Sequence, residues 1–324
     1  MKLHRRQVLA LGATAASLSV MPITAGAQNF QAKPLRIVVN LAAGGGTDFL
    51  ARLIGEYVSR GLGQQVVIEN KVGAGGLVGA EAVANGTPDG YTLLASHDVV
   101  ASAPPIASFD VSYLKKLVPV IQLSRVPIVL AVHPSLNVNT VAELIVLARQ
   151  RPGLSYATSG AGTQQHYIGE WFAQIAGIKL DHVPYRGAGQ AVNDLVAGHV
   201  PIGSLGPTPI VPHHKAGTLR ILAQSGETRS PTLPDVPTFQ EAGVGGLVLT
   251  AWNAVFAPSG TPQAILARLN LEIDRALSDQ TIRAKMLAVA QEPVGGSADH
   301  LALLVQQDSE KYARLAKLLN IKAE

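Results

Sequence analysis

An α/β fold built on mostly parallel strands is predicted for this 324-residue chain. Two observations predict it. Short, β-branched apolar runs alternate with stretches of helical spacing along most of the sequence. Twice, far apart, such a run leads through a glycine loop straight into a helix, as at a ligand-binding edge of a parallel sheet.

The elements follow in order. Leu35–Val39 is too short and too β-branched for a helix and reads as a strand. From Asp48 to Leu62, Phe49, Leu53 and Tyr57 share one face with Leu50, Ile54 and Val58 beside them; Gly61 and Gly63 stop this helix. Val66–Ile68 is a second strand, Gly73–Gly76 opens a small-residue helix through Val83, and Tyr91–Ala95 is a third strand. Two adjacent apolar runs, Val118–Leu123 and Ile128–Val132, precede a capping box at Thr140–Glu143 and a helix to Gln150. The opening pattern then recurs: strand Leu154–Ala157, glycine loop Ser159–Gly162, helix from Thr163 to Ile175. Val200–Gly203, Leu219–Gln224 and Ala251–Ala257 are further apolar runs, and after Pro262 the chain is helical over 263–277, 280–289 and 298–319.

Composition narrows the class. Hydrophobic content of 47% and charged content of 15% suit a globular protein with an ample core. Residues 1–27 combine Lys2, Arg5 and Arg6, an apolar stretch from Val8 to Ile23, and the cleavage-type triplet Ala25-Gly-Ala27, so they read as a secretory signal peptide. The Arg5-Arg6 pair allows twin-arginine export, with the general secretory route as the alternative. The formal net charge of +4 falls to +1 once the three leader cations are removed, and no basic stripe suited to nucleic acid remains. The absence of cysteine excludes disulfides, thiolate metal sites and a lipidated N-terminal cysteine. A bacterial periplasm is the expected compartment.

Two stretches carry the chemistry. In Ala42-Ala-Gly-Gly-Gly-Thr-Asp48 the glycines let backbone approach a ligand, and the helix start offers free N–H groups and partial positive charge. A carboxylate or phosphate suits it; the competing reading is a plain turn capped by Thr47 or Asp48. It is no nucleotide loop, because Thr47-Asp48 stands where a P-loop has Lys-Ser/Thr and the G-x-G-x-x-G spacing is missing. In Thr158-Ser-Gly-Ala-Gly-Thr-Gln-Gln-His166, Ser159, Thr163 and backbone N–H groups could face a second anion. A serine nucleophile at Ser159 is disfavoured, since Ala157 replaces the first glycine of the G-x-S-x-G elbow, and His166 reads as a structural hydrogen-bonding group. His213 and His214 point to different faces of a helix and no H-E-x-x-H occurs, so neither metal nor cofactor is expected. Ser96 and His97 follow a strand at the same sheet edge as the first glycine loop. Tyr185 and Arg186 lie at the equivalent edge of the second half, Arg186 being either a partner for a ligand carboxylate or a surface charge.

The string RIVVNLAAGGGTDFLARLIGEYVSRGLGQQVVIENKVGAGGLVGAEAVANGTPDGYTLL, followed in order by VPIVLAVHPSL, YATSGAGTQQHYIGEWF, HVPYRGAG, HHKAGTLRILAQSGETRSPTLPDVPTFQEAG and AWNAVFAPSGTP, resembles the Bug-type solute-binding proteins of tripartite tricarboxylate transporters (TTT). The likeness spans essentially the whole chain after the leader. It implies a two-lobed periplasmic binding protein of type II with two crossover strands, lobe one being 28–127 plus 252–324 and lobe two 128–251. It implies a small carboxylate in the interlobe cleft, delivery to TTT-type membrane permease subunits, and a monomer. By resemblance the ligand-binding residues are Leu41, Ala42, Ala43, Gly44, Gly45, Thr47, Ser96, His97, Ser159, Gly160, Ala161, Gly162, Thr163, Tyr185 and Gly206, with Asp48 and His166 as structural neighbours. Two helix starts facing one another favour a di- or tricarboxylate. The sequence also departs from the family pattern. Asn40-Leu-Ala-Ala43 replaces a Pro-Phe-Pro-Pro-like stretch, and Pro201 and Leu205-Gly206 stand where relatives carry groups suited to an amino group. This moves the expectation from an amino acid toward a plain or partly apolar carboxylate, aromatic ones included. The alternatives are a ligand-presenting protein for a two-component sensor and a secreted hydrolase using Ser159.

Overall fold

The computed structural model describes residues 33–108 and 110–321, so the leader expected over 1–27 lies outside the described residues. The elements in chain order are β1 (Leu35–Val39), α1 (Gly46–Leu62), β2 (Val66–Asn70), α2 (Leu77–Ala84), β3 (Thr92–His97), α3 (Val99–Ser102), β4 (Leu117–Pro127), β5 (Val129–Val132), α4 (Val141–Gln150) and β6 (Leu154–Thr158). They continue with α5 (Gln164–Ala176), β7 (Leu180–Pro184), α6 (Ala188–Val196), β8 (Ile202–Leu205), α7 (Val211–Lys215), β9 (Arg220–Gln224), β10 (Thr250–Pro258), α8 (Gln263–Ser278), α9 (Gln280–Leu287), β11 (Glu292–Pro293) and α10 (Ala298–Leu319).

Two sheets divide them. One has the strand order β11-β4-β10-β3-β1-β2, the other β7-β6-β8-β5-β9. Within each, the three strands that feed helices run parallel (β1, β2 and β3; β6, β7 and β8), while β10 and β5 return antiparallel. This is the two-lobed α/β architecture of a periplasmic binding protein. The chain passes between sheets at Ile128 and again between Ser225 and Leu249. Ser225 stitches the two passages together: its N–H donates to the Ile128 carbonyl and its carbonyl accepts from Leu249, while its hydroxyl accepts from the Ile128 N–H.

Strand alternation sorts the core onto both faces. Leu35, Ile37 and Val39 of β1 pack with Leu50, Ile54 and Val58 of α1 and with Leu269 and Ile273 of α8. Val38 points the other way, into a cluster that includes Leu77 of α2, Trp252 and Phe256 of β10, and Tyr312 of α10. That second cluster continues through Tyr167 and Phe172 of α5 into the other lobe, so α10 joins the two bodies.

Three elements differ from the sequence expectation. The β3 strand runs on through Ser96 and His97, which pair with Ala254 and Asn253 of β10 and so stay within the ladder. The helix expected from Gly73 begins only at Leu77, because Ala74, Gly75 and Gly76 take φ values of 46°, 63° and 109° and form a turn. The run expected at Val200–Gly203 forms its strand at Ile202–Leu205, past Pro201, whose nitrogen has no hydrogen to donate.

Candidate functional site

The loops that follow β1, β2 and β3 meet the loops that follow β6 and β7 along one seam. The Ala42 N–H donates to the Arg186 carbonyl at 3.3 Å, and the Ser102 hydroxyl donates to the Gly162 carbonyl at 2.8 Å. The approach is close enough to require glycine. A Cβ on Gly75 would lie 2.7 Å from the Ala161 carbonyl oxygen, and one on Gly189 would lie 2.4 Å from that of Ala43.

On lobe one, Gly45 occupies the N-cap of α1, so neither Thr47 nor Asp48 caps it as a plain turn would require. The Thr47 hydroxyl donates to Asn253 Oδ1 at 2.7 Å. Asp48 reaches back to accept the Gly44 N–H at 3.1 Å and is held by Arg52 and Asn70. Burial alone would raise its carboxyl, but the hydrogen bonds from Arg52, Asn70 and Gly44 outweigh that and hold it below its ordinary value. Leu41 is buried with its carbonyl on Asn70, while Ala43 and Gly44 are exposed. The Ser96 hydroxyl accepts from Asn40 Nδ2 and donates to the His97 carbonyl. His97 Nδ1 accepts the Val99 N–H beside Asp98. Complete burial raises the Asp98 carboxyl against the opposing influence of the neighbouring His97 ring and the Tyr312 hydroxyl.

On lobe two, Gln165 Oε1 accepts both the N–H and the hydroxyl of Ser159, each at 2.8 Å. The Ser159 hydroxyl thus faces an amide, not the histidine base that a hydrolase would need. His166 Nδ1 accepts the Gly162 N–H, and its ring stacks on His182 with centroids 3.9 Å apart. Burial pushes His182 down to about 4. The Thr163 hydroxyl donates to the Gly160 carbonyl, which leaves α5 without a side-chain cap. The Tyr185 hydroxyl is bonded to Asp194 at 2.6 Å; burial first, then that carboxylate, pushes it up to about 12. Gly206 sits beside Gln165 Nε2.

A cavity of about 250 Å³ opens in the seam. Of the residues singled out from the sequence, Gly160, Ala161, Gly162, Tyr185 and Arg186 line it. The facing wall is Gly73–Leu77, which the sequence offered only as a helix opening, together with Ala103 and Ile106. Leu41–Gly45, Thr47, Ser96, His97, Ser159, Thr163 and Gly206 lie around the seam rather than in that wall. A buried polar cluster also went unread. Asn253 and Gln291 join Thr47 and Ser124 of lobe one to Thr208 of lobe two through bonds of 2.6 to 3.3 Å. Three buried polar atoms at strand or helix ends near the seam have no partner: Asn40 Oδ1, His97 Nε2 and Gln164 Oε1. Among the described residues, no group of three His, Cys, Asp or Glu side chains forms a metal site.

The family model for the tripartite tricarboxylate transporter family receptor, TctC, matches residues 50–321. The chain belongs to that receptor family. It is 33% identical over 299 residues to the protein BugT of Bordetella pertussis, covering 90% of this chain and 90% of BugT. It is similar to the periplasmic binding protein BugD, with a TM-score of 0.85 and 29% identity over 90% of this chain and 99% of that one. A Rhodopseudomonas palustris protein, Rpa4515, solved with adipate, superposes with a TM-score of 0.86 at 34% identity, covering 90% of this chain and 98% of that one. The Bug-type resemblance read from the sequence is therefore correct, and the relatives are solute-binding receptors. No helix among the described residues is long and apolar enough to cross a membrane.

Proposed function

We propose that this receptor works in the periplasm, captures a small carboxylate between its lobes and delivers it to TTT-type permease subunits. Lobe one comprises 28–127 plus 252–324 and lobe two 128–251. The observation that carries the reading is the pair of uncapped helix starts, α1 behind Gly44–Gly46 and α5 behind Ser159–Thr163, placed along one seam. Thr140, Asp279 and Ser297 cap α4, α9 and α10 with their own side chains, whereas α2, α3, α6, α7 and α8 also lack such a cap; α1 and α5 each follow a glycine loop and both starts lie at the seam. An anion supplied from outside replaces such a cap.

The lobe-one contacts in this reading come from Leu41–Gly45, Thr47, Ser96 and His97. The lobe-two contacts come from Ser159–Thr163, Tyr185 and Gly206. The adipate bound to the R. palustris neighbour points to the same ligand class. Closure over the ligand excludes water, and no step changes a covalent bond.

The test is native mass spectrometry of the mature, monomeric protein followed by a thermal-shift screen of mono-, di- and tricarboxylates. A carboxylate at 100 times its Kd adds about 2.7 kcal/mol of stability. A shift with at least one carboxylate is expected; no shift with any overturns the reading.

A further inference from the structure

The seam cavity has a composition that selects among carboxylates. We propose that the ligand is a monocarboxylate on an apolar body of about ring size, its carboxylate held at Ala161 and Arg186 and its body on Leu77, Ala103 and Ile106. The Gly160 and Gly162 N–H groups already donate to Thr158 and His166. This rests on the carboxylate reading above and narrows it.

Charge comes first. Arg186 is the one charged residue in the cavity wall, and no carboxylate there could receive an ammonium group. Among the described residues Arg186 has no ion-pair partner, and it is an exposed residue of the cavity wall. The Ala42 N–H on its carbonyl pins its backbone. The α5 helix beside it has no acidic residue in its first turn, whereas α1 already carries Asp48. One anionic end is thus provided for, and on lobe two.

Polarity comes second. Apart from Arg186, the single polar side chain in the wall is Tyr185, whose hydroxyl is committed to Asp194. A second carboxylate or a ligand hydroxyl laid against Leu77, Ala103 and Ile106 would lose water without gaining a side-chain partner. An apolar body loses nothing there. Size comes third. An engineered protein cavity of roughly 150 Å³ holds benzene, so about 250 Å³ admits a six-membered ring and a carboxylate.

The experiment is isothermal titration of the mature protein with benzoate, cyclohexanecarboxylate, adipate and malate, repeated with Arg186→Gln and Ala107→Phe. Ala107 lies in the cavity wall next to Ile106, outside the strands and long helices. Benzoate or cyclohexanecarboxylate is expected to bind about tenfold or more tightly than malate. R186Q is expected to weaken benzoate about three- to fivefold, as for an exposed ion pair, and A107F about tenfold or more. Tighter binding of malate or adipate than of benzoate overturns this proposal and leaves the carboxylate reading standing. Unchanged benzoate affinity in both variants also overturns it. Silence from all four ligands, with none in the wider screen, overturns both.

Discussion

The loops after β1 and β6 look alike in sequence, yet they satisfy their freed backbone N–H groups in opposite ways. On lobe one an anion from the chain itself, Asp48, takes the Gly44 N–H and is anchored by Arg52 and Asn70. On lobe two neutral acceptors serve: Gln165 takes Ser159 and His166 takes Gly162. The first arrangement is partly neutralised before any ligand arrives. The second keeps the positive end of α5 unopposed. The two lobes are thus unequal partners in anion capture, despite near-identical strand–glycine–helix grammar.

The largest effect should come from breaking the charged side. Asp48→Ala strips acceptors from Gly44, Asn70 and Arg52 inside a nearly closed site, and should cost about 2–3 kcal/mol in denaturant unfolding. A loss below about 1 kcal/mol would mean that the carboxylate is not what orders the lobe-one loop.

Acid should strike the neutral side first. His182, stacked under the lobe-two loop, has its folded value lowered to about 4 from 6.5, so protonation favours the unfolded chain. Its contribution is complete above pH 6.5, declines as pH falls toward 4, and levels off below, a loss of about 2–3 kcal/mol. Asp48 is also lowered, so its contribution persists above 3.8 and fails only at lower pH. Comparing His182→Asn with the parent isolates this window, because other groups cancel. The variant should show a flatter Tm between pH 7 and 4, and an unchanged slope would refute the assignment.

Gln165→Ala should follow, at about 1–2 kcal/mol, because it leaves the Ser159 N–H and hydroxyl buried without their acceptor. Gln165→Glu restores an acceptor but puts a negative charge in the first turn of α5. It should recover stability while weakening carboxylate binding, which separates the structural role of the side chain from the field at the helix end.

The sequence could show this grammar but not its two dialects. Short β-branched runs, the helical spacing of 48–62 and the recurring strand–glycine loop–helix order made β1, α1, β6 and α5 legible, and the long ordered resemblance made the two-lobed architecture legible. Whether Asp48 caps its helix or turns back to Gly44 depends on Arg52 and Asn70, and Asn70 is brought alongside only by pairing β2 with β1. Gly73–Gly76 read as a helix opening because nothing local reveals that it faces Ala161. Asn253, Gln291 and Thr208 are single polar residues in unrelated segments: the pairing of β10 and β11 with β4 brings Asn253 and Gln291 together within lobe one, and Thr208 meets Gln291 from lobe two.

The finest distinction is which helix end reads the ligand's charge. Asp48→Asn keeps the size of the side chain and removes its charge from the start of α1. If the carboxylate docks at α5 and Arg186, affinity for benzoate should change by less than about twofold, since screening attenuates the field across the seam. If it docks at α1, removing the opposing charge should tighten binding by about two- to fivefold, the range of a helix-terminus interaction of 0.3–1 kcal/mol. Titration of D48N at low and moderate salt decides between them, because a gain at α1 shrinks as salt rises. A salt-sensitive gain would return the anion to lobe one, and with it the symmetric clamp that the two matching loops suggest.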